Sequence, residues 1–406
     1  MGIVINKTKI NKICSFISAL MLSLYIFCAH FKYPFSSTYF LYIGLIFTIF
    51  VLLFYKNLMF SKSIFIYAII IIMMFVGEFY TNNEILGERQ VTFFLVYFFF
   101  FLLACQKSDF LFYVKRFMYF FALIGAISLF IQFIIPIPFN VFLRLFLRSD
   151  VYDAVMWSYN VDGTFTGITA SVSMAAYSLA IVFFSSLRKI LNSTFSNNKN
   201  IRLSVINKIF LYIVSFISLF GIILTSKRGI FVATLLALCF ALIIDKNISL
   251  KKLKKRQIVF LFIVIIFVFG IMLYIVSTND YVINFISRFT GNNITTGRDV
   301  FYEKAISNFL QSDFKNYLIG KGTASAYLIN GTGLHNVFLQ ILYDHGIFGI
   351  LIFLSFFVLN LKNAVKKRYF ISISMQLVFL IYCMSGNPLY DYYFFIPYLI
   401  YVSCNE

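Results

Sequence analysis

SRFTGNNITTGRD at 287–299, FYEKAISNFL at 301–310, GKG at 320–322 and GTGLHNVFLQILYDHGIFG at 331–349 form the longest polar interruption in an otherwise apolar chain. This stretch holds two of the three histidines, His335 and His345. It also sets Arg288, Arg298, Glu303, Lys321 and Asp344 close together along the sequence. The segments on either side are strongly apolar, so the rest of the chain reads as a scaffold that positions it.

Of the 406 residues, 61% are hydrophobic and 12% charged, and 55 are Phe. A soluble domain is about half apolar and about a quarter charged, so the composition belongs to the membrane class. Spanning helices need about 20 mostly apolar residues. Runs near that length fall at 13–31, 39–55, 63–80, 91–106, 117–135, 168–187, 209–225, 230–244, 258–277, 346–361, 369–384 and 391–404. The eighth, eleventh and twelfth are short. The expectation is therefore an all-α integral membrane protein of about 12 (10–12) transmembrane helices, forming a single polytopic domain over 1–406. Lys7, Lys9 and Lys12 precede the first run and no small-residue cleavage site follows it, which reads as an uncleaved signal anchor.

Lys and Arg set the orientation. With the N-terminus in the cytoplasm and strict alternation, the cytoplasmic segments hold 23 of the 34 basic residues, opposed only by Asp109, Asp245 and Glu406. The outer segments come out close to neutral. The net charge of +19 is thus an orientation signal and points away from nucleic acid. Both termini are expected in the cytoplasm, with two long loops outside, at 136–167 and 278–345. In the second loop Phe301, Ala305, Ile306, Phe309 and Leu310 recur at helical spacing, opposite Glu303, Lys304, Ser307, Asn308 and Gln311. That pattern predicts an amphipathic helix across the top of the bundle. The six cysteines show no paired spacing, which supports neither a disulfide framework nor a zinc site.

Among residues able to do chemistry, His335 in GTGLHN comes first. It precedes a helical run in which Asn336, Gln340 and Tyr343 share a polar line. An imidazole there can act as a general base near neutral pH, or brace a helix end. Arg228, in TSKRG between the seventh and eighth runs, either holds an anion through its guanidinium fork or snorkels to the headgroups as Lys227 would. Arg288 and Arg298 flank TGNNITTG, and Lys321 sits in GKG, where glycine backbone can approach an anion; ordinary solvated loop charge is the other reading, and the favoured one for Lys321. The spacing is not that of a P-loop. Glu303 can pair with Arg298 or Lys304. His30 and His345 read as structural. Several arginines, one histidine and no metal-ligand cluster suit a lipid substrate bearing a diphosphate.

These pieces resemble the bacterial O-antigen polymerase and O-antigen ligase superfamily. The resemblance rests on DGTFTGITAS in the first outer loop, TSKRG, RF…TGRDVFYEKAI, and GKG followed by LHNVFLQILYDHGIFG, in that order across roughly 160–360. The chain has Phe301 and Tyr302 where the family often carries Trp after its Gly-Arg, and Ile168 and Thr169 where Glu-Pro commonly follows a Gly. The resemblance implies a GT-C-like bundle in the bacterial inner membrane with an extracytoplasmic active site. It implies a metal-independent glycosyltransferase using a glycan on undecaprenyl diphosphate, without a cofactor. His335 would be the base, and Arg298 and Arg228, with Arg288, would clamp the diphosphate. Asn336, Gln340, Glu303 and Lys321 are the further substrate-binding candidates. Membrane lipids and a chain-length regulator are the partners in view. A repeat-unit polymerase is favoured over a ligase, because abundant Lys, Asn, Ile and Phe is common in surface-polysaccharide gene clusters. A flippase or other transporter is the alternative of a different class. It would want ionisable groups at midspan, whereas Glu78, Lys115 and Arg116 fall near run ends.

The charge asymmetry makes a direct prediction. A cysteine placed at Asn293 will react with membrane-impermeant thiol reagents from outside the cell; labelling only from the cytoplasmic side would overturn the topology.

Overall fold

The computed structural model describes residues 7–55, 58–81, 84–106, 108–195, 204–244, 298–329, 331 and 333–403. Arg288 and the ninth apolar run, 258–277, lie outside them. Helices form α1 (Lys7–Phe27), α2 (Ser37–Leu53), α3 (Lys62–Glu78), α4 (Glu84–Cys105), α5 (Asp109–Ile134), α6 (Pro136–Phe146), α7 (Ser149–Asp162), α8 (Val172–Phe195), α9 (Val205–Leu224) and α10 (Arg228–Ile244). After the undescribed stretch come α11 (Arg298–Leu310), α12 (Phe314–Ile319), α13 (Val337–Lys367), α14 (Phe370–Tyr382) and α15 (Tyr392–Val402). Among the described residues the regular structure is helical, apart from an isolated antiparallel bridge between Phe31 and Leu147.

Six segments are long and apolar enough to cross a membrane: Thr8–Phe27, Ile85–Cys105, Asp109–Ile134, Val172–Ser193, Val205–Leu224 and Val337–Lys367. The apolar helices α2, α6, α10, α14 and α15 are shorter. This is a multi-pass membrane architecture.

Apolar surface gains nothing by leaving lipid for protein, so the helices are joined by close packing, small residues and internal hydrogen bonds. Gly44 and Thr48 line the contact of α1 with α2, where the Ser18 and Thr48 hydroxyls lie 2.6 Å apart. Along α10, Ile230, Ala233, Thr234, Ala237 and Ala241 are buried at i, i+3, i+4, i+7 and i+11, and this helix packs on α14. Rings fill the centre. Phe379 stacks on Tyr398 with centroids 4.3 Å apart, and Tyr67 stacks on both Phe94 and Phe395. Such pairs contribute roughly 0.5–1.5 kcal/mol each beyond their burial.

Helix ends gather at two opposite faces. At one, Ser63 bonds Asn360 at 2.5 Å, Gln106 bonds Met59, and Ser372 bonds the Tyr401 carbonyl. At the other, Tyr392 donates to the Ala29 carbonyl, the Phe165 N–H donates to Leu224, Thr81 donates to Thr323, and the Val337 N–H donates to Cys383. This second face carries the polar segments singled out by the sequence.

The stretch expected as a first long loop folds largely into α6 and α7. Its end, TFTGITA, then turns back into the bundle, with Thr164, Phe165, Thr166, Thr169 and Ala170 buried. Buried non-helical backbone must find partners. Gln132 Oε1 accepts from the Thr166 and Gly167 N–H groups at 2.9 and 2.8 Å, and Ser128 Oγ accepts from Ile168 N at 2.9 Å.

The second loop is also shorter than expected, because α13 begins at Val337 and not near 346. Its backbone leaves the helix at Gly346 (φ 64°, ψ −162°), so 337–345 is a half-helix leading into the long one. That break takes the helical donors from the preceding carbonyls. The GKG segment supplies them: the Lys321 N–H donates to the Tyr343 carbonyl at 3.0 Å and the Gly322 N–H to Asp344 at 2.9 Å. Thr323 then ties the segment to α3, its hydroxyl donating to the Met74 carbonyl at 2.7 Å and its N–H to Gly77. Gly320 (φ 80°, ψ −172°) occupies a conformation open essentially only to glycine, with a Cβ position that would overlap the Asp344 carbonyl and His345 N.

Gly320→Ala should therefore destabilise the protein by roughly 2–4 kcal/mol, combining left-handed strain with overpacking. Gly331→Ala, also at positive φ but with open space around it, should cost only about 1–2 kcal/mol. Unfolding in detergent measures both, and equal losses would remove the helix-break packing as the cause.

Candidate functional site

Four short pieces meet at the second face: the start of α10, the start of α11, the 333–337 segment and the 383–387 turn. Arg298 is the first residue of α11, and its guanidinium donates to the Ser385 carbonyl at 2.7 Å. Gly229, next to Arg228 at the start of α10, sits so close that a Cβ would come within 2.5 Å of Ser385 Oγ. Arg228 and Arg298 thus belong to segments that meet on one residue, although they are 70 positions apart in sequence.

His335 adopts a left-handed backbone (φ 53°), a region few non-glycine residues enter, His more often than most. Its carbonyl accepts from the Tyr302 hydroxyl at 3.2 Å, which ties it to α11. Next in line, Asn336 caps α13, its Oδ1 accepting from Leu339 N at 3.1 Å. Then the Val337 N–H donates to Cys383 at 2.8 Å. The chain before the histidine is equally constrained, since a Cβ on Gly333 would overlap the side-chain amide of Asn387. The His335 ring is half-buried, and its pKa is lowered from the ordinary 6.5 by burial first and then by the Arg298 and Lys227 charges. Those causes keep the imidazole neutral at neutral pH, the form that accepts a proton.

Beneath the histidine, the half-helix carries a buried polar row. Gln340 is fully buried, and its Oε1 accepts from Leu334 N at 3.4 Å. One turn on, Asp344 accepts from Ala326 N at 2.7 Å through Oδ1. His345 is buried beside the helix break with neither ring nitrogen bonded. A Cβ on Gly77 would lie 3.4 Å from its ring, and Phe353 packs against it.

The site residues expected from sequence separate into two groups. Arg298, His335 and the TSKRG turn come together over Gln340. Lys321 stands apart: its ammonium donates to the Asn308 carbonyl at 3.0 Å near the end of α11 and lies over the Tyr343 ring. Glu303 is exposed on α11, whose buried face is narrower than the sequence pattern suggests; Ala305 and Phe309 are buried, whereas Ile306 and Leu310 are exposed.

Ser385, Asn387, Tyr302 and Asp391 were not anticipated. Asp391 stands at the start of α15 within electrostatic reach of Lys227, and Asn387 Oδ1 is buried without a partner. The SGNP turn at 385–388 is too brief to stand out between two apolar runs, so only its glycine and proline hinted at a special conformation.

The arrangement offers a neutral imidazole with guanidinium and ammonium groups around it. It can take a proton from a hydroxyl while cations hold an anion nearby. By NMR, His335 should titrate below 6.5, and Arg298→Ala should move its midpoint back up; an unchanged midpoint would separate the two residues.

A family model, Wzy_C, described as O-Antigen ligase, matches residues 213–354. The matched span contains Arg228, Arg298, His335, Gln340 and the broken part of α13, but not Ser385, Asn387 or Asp391. No curated protein matches the chain significantly. Over that span the chain is similar to the O-antigen polymerase and O-antigen ligase superfamily.

Proposed function

We propose that this protein polymerises lipid-linked oligosaccharide repeat units on the outer face of the bacterial inner membrane, with both termini in the cytoplasm. The observation that carries the reading is the half-buried, charge-flanked His335 held beside Arg298 and the TSKRG turn, inside the segment that matches the family. The donor is a glycan on undecaprenyl diphosphate. His335 takes the proton of an acceptor sugar hydroxyl, and the oxygen attacks the donor's anomeric carbon. The bond from that carbon to the diphosphate oxygen breaks, and its electron pair leaves with the lipid diphosphate. In this reading Arg298, Arg228 and Lys227 stabilise the charge that grows there, an effect that strengthens as water is excluded. Guanidinium forks match phosphate oxygens bidentately, so side chains do the electrostatic work that metal ions do in other transferases.

Polymerase and ligase share this chemistry and differ in the acceptor: another lipid-linked repeat unit, or the lipid A core. The matched family supports either activity and does not separate them. The abundance of Lys, Asn, Ile and Phe favours a polymerase from a surface-polysaccharide gene cluster.

Surface-polysaccharide profiles of a deletion strain, and of that strain complemented with His335→Ala, test both points. A polymerase with an essential His335 leaves a single repeat unit on the lipid A core in both. Loss of all attached chain, with long polymer accumulating on undecaprenyl diphosphate, would show a ligase. An unchanged profile in the deletion would overturn the transferase reading.

A further inference from the structure

On the same face as His335, a cavity of about 630 Å³ opens at the junction of α6 and α7. Lys32, Arg144, Leu147, Arg148, Ser149, Tyr152 and Asp153 line it. Backbone contacts build it. The Phe31–Leu147 bridge joins the α1–α2 turn to the α6–α7 junction, Lys32 N donates to Phe146, and Arg148 N donates to His30. The Lys32 ammonium donates to the Arg144 carbonyl at 3.2 Å, which brings it to the end of α6. Arg148 has an exposed ion pair with Asp150 at 3.7 Å; among the described residues neither Lys32 nor Arg144 has a carboxylate partner.

Three features specify an occupant. The three cations call for phosphate. Ser149, Tyr152 and Asp153 offer hydroxyl and carboxylate groups suited to sugar hydroxyls, and the carboxylate would repel a further phosphate there. Ile137, Val141 and Leu145, four residues apart on α6 and 75%, 63% and 66% exposed, form an apolar stripe that ends at the cations. On a helix lying at a membrane surface such a stripe faces lipid chains.

We infer that this cavity binds a second lipid-linked glycan, the acceptor repeat unit: its diphosphate on Lys32, Arg144 and Arg148, its first sugar at Tyr152 and Asp153, and its polyprenyl chain along α6. The inference rests on the polymerase reading, in which two polyprenyl-diphosphate substrates must be held at once. The cavity is linked to the His335 site. His30 packs edge-on against Tyr393, with ring centroids 6.1 Å apart, and Tyr392 donates to the Ala29 carbonyl. Asp391, the residue before them, reaches Lys227.

Trp157, the chain's only tryptophan, lies one helical turn beyond Asp153 and is 60% exposed, so it reports on this cavity. The experiment titrates the full chain in phosphatidylcholine nanodiscs with undecaprenyl diphosphate and follows Trp157 fluorescence. A saturable change is expected, with the apparent Kd raised roughly tenfold or more in Arg144→Ala/Arg148→Ala, since two charged phosphate contacts are lost. Lys32→Ala, which leaves α6 and α7 intact, should weaken binding in the same direction. Equal binding by the double variant and the original chain would overturn the inference. So would an equal response to phosphatidylglycerol, lipid A or inorganic diphosphate. A specific titration in a protein whose deletion leaves polysaccharide unchanged would retain the lipid site and remove the polymerase reading.

Discussion

The backbone exchange at the break in α13 is the constraint on which the second face depends. A helix interrupted at Gly346 inside an apolar bundle exposes carbonyls that lipid cannot satisfy. The N–H groups of Lys321 and Gly322 close that gap, and Thr323 anchors the same segment to α3. The half-helix 337–345 thereby gains a fixed direction different from that of the long span below it. Everything attached to it follows: the Asn336 cap, His335 just before it, and the buried Gln340 and Asp344. The cost of two glycines in conformations closed to other residues is offset by the pairing of otherwise stranded backbone.

With the half-helix in place, α11 and the 383–387 turn both pack on it and its leading segment. Ala305 and Phe309 seat α11 on Leu334 and Tyr343, and Tyr302 reaches the His335 carbonyl. Arg298 then falls on the Ser385 carbonyl, which leaves much of its fork available at the surface. The proximity of this charge and Lys227 disfavours protonation of the imidazole. A base between cations is thus neutral when an anion arrives, and the same cations attract the anion.

The second face also shows how the bundle admits irregular chain. TFTGITA is held by Gln132 and Ser128 of α5, and Gln132 further donates to Asn140 of α6 at 2.8 Å. One buried amide therefore links the re-entrant segment to the helix that ends at the Lys32, Arg144 and Arg148 cavity. The polar groups buried here are mostly paired within the chain, as they must be where water is scarce.

Apolar runs and their spacing determined by themselves that the chain is a multi-pass helical membrane protein, because the hydrocarbon core demands long apolar helices whatever their neighbours. They also located the polar stretch that carries Arg298 and His335, since such a stretch cannot lie in lipid. The partition of Lys and Arg gives an expected orientation through the positive-inside bias. Residue type alone left GKG open as an anion loop; tertiary structure decided that its N–H groups meet helix carbonyls at the Gly346 break. It also decided that Asn336 caps a helix and that Lys321 reaches α11. The pairing of Arg298 with Ser385, and of Gln132 with Thr166 and Gly167, spans 87, 34 and 35 positions. No local pattern encodes such contacts, because they arise when separate helices, each stable in its own backbone bonds, are packed at one end of the bundle.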